Sequence, residues 1–132
     1  MGDVGTGSEP HLPWIVAAPF AVSGVVHLVR PEGFERIVPT PLQAWARPLV
    51  IASGVAELMC AAGLVVPTTR RAAGVASAAL LLAVWPANAQ MSLDLGRRAR
   101  KRQDAGSIAA FAVSLARLPL QVPLIRSALR AR

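Results

Sequence analysis

One carboxylate, Glu57, stands ninth in an otherwise uncharged run of eighteen residues, Leu49 to Val66. As a helix that run is about 27 Å long, close to the thickness of a bilayer core. A carboxylate at mid-depth costs roughly 2 to 3.5 kcal/mol even on lenient insertion scales, so it must face protein or trapped water and needs a partner or a proton. Among the Lys and Arg residues, only Arg117 lies inside another apolar run. It is tenth of the eighteen residues from Ile108 to Ile125, so the two charges sit at matching depths and are expected to pair.

Two further runs, Leu12 to Val29 and Ala72 to Ala89, carry no Asp, Glu, Lys or Arg. Only 16% of the 132 residues are charged, where a soluble domain carries about a quarter. Four spans follow: an all-α, antiparallel four-helix transmembrane bundle over residues 12–126, with the lipid bilayer as its first partner and no room for a second domain. The net charge of +7 comes from 13 Arg and one Lys against seven acids. These cations flank oily segments, where they hold helices against anionic headgroups, so nucleic acid is not the expected partner. Cys60 is the only cysteine, which leaves no disulfide framework, CxxC or zinc set.

The polar stretch Met1 to His11 reads as a disordered tail before an uncleaved first span. Trp14 suits the interface, and Pro19 is a possible kink. The connection Arg30 to Arg47 is broken by Pro31, Pro39 and Pro41, and its segment Gly33 to Val38 reads as a surface-lying turn. Pro67 to Arg71 is a tight turn that sends the third span back along the second. Ala89 to Gly106, with Arg97, Arg98, Arg100, Lys101 and Arg102, is expected as a solvated basic loop, and residues 127–132 as a basic tail. Five Lys or Arg on the side of the termini against eight on the other side favour both termini outside, by a small margin.

Each span has one polar-bearing face: Ser23 and His27; Ser53 and Glu57; Ser77 and Asn88; Ser114, Arg117 and Gln121. In a bundle these faces can turn inward together and satisfy groups that lipid cannot. The bland reading is a buried ion pair that fixes helix assembly, with Trp85 and Phe20 as packing. A bis-histidine haem is excluded because His11, the only other histidine, lies in the tail. Dithiol exchange needs two cysteines, and no HExxH, GxSxG or phosphate-cradling loop is present.

Several motifs resemble the DoxX-like membrane proteins: Ser23-Gly24-Val25-Val26-His27 with Pro31 and Phe34, Arg36 to Pro39, Ser53 to Leu58, Thr69 to Ala73, Pro86-Ala87-Asn88 with Met91, and Arg117 to Gln121. Trp85 stands where that family is expected to carry Phe. The resemblance implies a four-helix protein of the cytoplasmic membrane, with His27, Glu57, Asn88, Arg117 and Gln121 as its polar set and with relatives linked to quinone-dependent sulfur oxidation and oxidative-stress complexes.

The expected function is a multi-pass membrane subunit whose interior binds a quinone-like or other small amphipathic molecule, or docks a redox partner protein. A ring carbonyl would accept from Arg117 and His27 while Glu57 exchanges protons. Ser23, Ser53, Ser77, Ser114 and Trp85 would support this set. No cofactor is visible in the sequence, and no self-sufficient catalytic motif. The alternatives are a structural or assembly subunit, with the ion pair holding helices together, and a proton-coupled carrier of small solutes; a homodimer through Ala-rich faces is a separate possible partnership.

Overall fold

A computed structural model of the chain describes residues 13–131, and every described element is helical. The tail expected over Met1 to His11 lies outside the described residues. Helix α1 is Trp14–Val29, and α2 is the single turn Glu32–Glu35. A 3₁₀ segment, Thr40–Trp45, leads into α3, Ala46–Val65; α4 is Arg70–Arg102 and α5 is Ala105–Leu129. Three helical stretches, Thr40–Val65, Arg70–Arg102 and Ala105–Leu129, are long and apolar enough to cross a membrane. The equally apolar α1 is shorter, at 16 residues.

The segment after Ala89 departs from expectation. It is not a loop: α4 continues for 33 residues, about 50 Å. Hydropathy falls there, but residues 89–102 are mostly Ala, Leu, Gln, Met, Arg and Lys, all strong helix formers, with no Pro and only Gly96 to interrupt them. The helix stops at Gln103, which takes the left-handed conformation (φ 51°) and donates its N–H to Ala99 O. The next residue already caps α5. Pro19, Pro86, Pro119 and Pro123 all lie inside continuous helices.

Asp104 accepts from Ser107 N at 2.8 Å and from Ser107 Oγ at 3.1 Å, which satisfies a first-turn donor of α5. The same bonds hold its carboxyl below the usual carboxylate range. A depressed folded-state pKa gives stability that is present above the unfolded pKa and is lost as pH falls through the lower folded value. Acidification from about pH 6 to about pH 3 should therefore destabilise the native chain more than Asp104→Ala, a difference readable in thermal unfolding midpoints.

Packing follows small residues. Helix α1 lies on α3, α3 on α4 and α4 on α5, with a lesser contact between α1 and α5. Gly74 of α4 meets the backbone of Ala128 while Gly96 meets the ring of Phe111, so α4 and α5 run in opposite senses. At the turn between α3 and α4, Arg70 Nε donates to Leu64 O at 2.8 Å and Thr69 Oγ1 to Gly63 O at 2.9 Å, closing carbonyls that the end of α3 leaves open. Val16, Phe20, Cys60, Leu64, Ala78, Leu81 and Ala128 belong to the main core, to which α1, α3, α4 and α5 all contribute.

Candidate functional site

The partner of Glu57 comes from α1. Its Oε1 accepts from Ser23 Oγ at 3.1 Å, and its Oε2 lies 2.9 Å from His27 Nδ1. Glu57 is only 5% exposed. The His27 contact is at ion-pair distance without hydrogen-bond alignment, so both atoms keep capacity for a further partner. Two glycines make this meeting possible. A Cβ on Gly54 would lie 2.8 Å from His27 Cβ, and one on Gly24 would lie 2.8 Å from Gly54 O. Without side chains there, the backbones of α1 and α3 approach closely enough for Ser23, His27 and Glu57 to touch.

The expected ion pair between Glu57 and Arg117 is not formed: among the described residues no acid lies within ion-pair distance of Arg117. Equal depth along two helices does not make them neighbours, and α3 packs on α1 and α4 while α5 packs on α4. Both residues nevertheless line one cavity of about 540 Å³. Ser23, His27, Ser53, Asn88 and Gln121 line it too, so most of the expected polar set converges. Gln121 donates through Nε2 to Leu81 O at 3.1 Å, which leaves its buried Oε1 without a partner. Asn88 has no hydrogen-bond partner among the described residues.

Three expected supporting residues are elsewhere. Ser77 is fully buried but bonds back to Ala73 O of its own helix at 2.7 Å, and Ser114 does the same to Phe111 O at 2.7 Å. Trp85 is partly exposed and does not line the cavity, because the lining side chains around it are Val84, Pro86, Ala87 and Asn88.

The sequence reading missed one wall. The connection between α1 and α3, expected to lie on the surface, contributes Phe34, Ile37, Val38, Pro39 and Leu42 to the cavity. The ring of Phe34 packs edge-on to His27 with centroids 4.1 Å apart. Gln43 Nε2 donates to Glu35 O at 3.1 Å and to Val38 O, and Arg47 lies 3.7 Å from Glu35, so the segment is tied down at both ends. The available signal was Phe34, Ile37, Val38 and Leu42, which are too apolar for a solvated strap. The remaining lining is largely Leu, Val, Ala and Pro. A separate hollow of about 30 Å³ near Pro13 and Leu64 is water-sized and holds no titratable group. Among the described residues no three His, Cys, Asp or Glu side chains converge as a metal-binding group would.

The site is thus an apolar cavity with a carboxylate and imidazole on one wall, a guanidinium on another and two amides. It can hold a molecule with an oxygen-bearing head and an apolar body. No curated protein and no solved structure matches the chain. The resemblance to DoxX-like proteins is overturned, since the family model that matches, over residues 16–132, is a different one. Small residues for close approach and a few inward polar side chains recur in any bundle of oily helices, which is why those motifs misled. The chain belongs to the family described as Domain of unknown function (DUF8561).

Proposed function

We propose that this protein is a four-span membrane protein, an antiparallel bundle of α1, α3, α4 and α5, whose cavity binds a small amphipathic molecule with oxygen on its head, a quinone-like ring being one such head. The membrane reading is supported by large apolar side chains left uncovered on every long helix: Val22 is 66% exposed, Met59 69%, Val75 57% and Val113 61%. At roughly 25 cal/mol per Å², that much apolar surface is disfavoured in water and favoured in lipid. The α1 helix, about 24 Å long, is accommodated by local thinning of the bilayer, with Trp14 at its edge.

The observation that carries the binding reading is the cavity of about 540 Å³, which joins Glu57, His27, Asn88, Arg117 and Gln121 to an apolar lining. Its size lies within the range of small-molecule sites, and its few convergent polar groups are the pattern such sites have. Arg117 and Asn88 offer donors and Gln121 Oε1 an acceptor, while the α1–α3 wall offers Glu57 and His27 for proton exchange. Electron transfer through a quinone would require a redox partner protein or a bound cofactor.

Filling the space is the direct test. Ala87 lines the cavity from α4, beside Asn88. Ala87→Phe is expected to weaken binding of a decyl-substituted benzoquinone to detergent-purified protein by at least about tenfold, with little change in unfolding temperature. Undiminished binding by that variant would sink the cavity reading. It would favour an assembly role, which the buried Ser23, Glu57 and His27 contact between α1 and α3 otherwise supports.

A further inference from the structure

Arg117 is the thirteenth residue of the 25-residue α5 and shares its cavity-facing side with Leu120, Gln121 and Leu124, at i+3, i+4 and i+7. Its guanidinium is charged at any accessible pH and presents five N–H donors in a rigid fork. Within a span, a charge in that position faces a water-filled cavity or finds a counter-charge. The described acids do not provide one. Glu57 lies against Ser23 and His27, beyond ion-pair distance of Arg117, while Glu35 is paired with Arg47, Asp94 with Arg97 and Gln90, and Asp104 with Ser107. Glu32 is exposed on α2 and does not line the cavity.

Resting on the cavity reading above, we infer that the molecule held there is an anion: a single apolar chain ending in a carboxylate or a phosphate monoester. Two oxygens of such a head match the guanidinium fork, whereas the carbonyl of a neutral ring offers it one. Asn88 adds a second free donor from α4. Gln121 gives one of its two amide N–H groups to Leu81 O and keeps the other. The chain runs along the apolar wall that includes Phe34, Leu42 and Leu49. Glu57, beside Ser23 and His27 on the α1–α3 wall, lies beyond ion-pair distance of Arg117.

The test uses the whole protein in a neutral maltoside detergent, with binding read by native mass spectrometry and by the shift in unfolding temperature. The probes are dodecanoate, dodecyl phosphate, dodecanol, butyrate and decyl-benzoquinone. At least one chain-bearing anion should bind about tenfold or more tightly than dodecanol, the preferred anion identifying the head group. Arg117→Gln should remove that preference, bringing both anions to within about threefold of dodecanol, while Arg117→Lys keeps part of it. Equal binding of dodecanol and both anions, or butyrate binding as tightly as dodecanoate, would overturn the inference while the cavity reading stands. Failure of every chain-bearing probe would remove the cavity reading itself, and the inference with it. If Arg117→Gln does not fold, the comparison of anion with alcohol on the unaltered protein decides.

Discussion

Gly54→Val is expected to be among the most damaging single changes in the chain, lowering stability by about 3 to 5 kcal/mol and abolishing ligand binding together. A Cβ at this position would meet His27 Cβ at 2.8 Å, Gly24 O at 3.0 Å and Leu28 Cγ at 3.3 Å. The first two are a side-chain stem and a backbone atom, neither of which can swing aside, so α1 and α3 must separate. Overpacking alone accounts for about 1 to 3 kcal/mol. The rest arises because separation pulls Ser23 and His27 from Glu57 and leaves a buried carboxylate without its partners. Gly54→Ala already carries the clashing Cβ and should show the same loss in smaller measure. Unfolding midpoints of both variants in one detergent would check this, and a native-like midpoint for Gly54→Val would refute the close approach of the two helices.

Loss of the imidazole is the second large effect. With His27→Leu, Glu57 keeps only the hydroxyl of Ser23, and leaving a buried carboxylate oxygen against an apolar side chain is destabilising by about 1 to 3 kcal/mol. Removing both ends, with His27→Leu and Glu57→Leu combined, should be milder than the sum of the two single changes by about 0.5 to 3 kcal/mol, since no charge is left behind. Arg117→Leu combined with Glu57→Leu should instead be additive within about 0.5 kcal/mol, because these two side chains do not touch. A strong coupling between Glu57 and Arg117 in this double-mutant cycle, with none between Glu57 and His27, would reverse the assignment of partners made from the geometry.

Much of the architecture was legible from residue types. Long apolar runs specify helices because only a helix satisfies its own backbone in an oily setting; the run from Ala72 lies within α4, and the run from Leu49 lies within α3 but for its last residue, Val66. Which polar side chains share a helix side was also legible, since residues three and four apart lie together: Ser23 with His27, Ser53 with Glu57, Arg117 with Gln121. The end of α4 was not, because hydropathy and helix propensity are different properties. Arg97 to Arg102 leave the oily range without leaving the helix, and the stop comes only where Gln103 turns left-handed and Asp104 caps the next helix. The wall made by Phe34, Ile37 and Leu42 was hidden for a similar reason: a Pro-broken segment has no period from which a buried side can be read.

By itself, then, the amino-acid order determined that the chain is helical, where its oily stretches lie, and that Glu57 and Arg117 each need an answer to their charge. Tertiary structure alone decided what those answers are. Depth along a helix is one coordinate, and it cannot say which helices are neighbours or how each is rotated. The paired glycines at 24 and 54 brought α1 against α3, so Glu57 met Ser23 and His27, while Arg117 on α5 was left facing an open cavity. Small residues chose the neighbours, because backbones approach closest where no side chain keeps them apart.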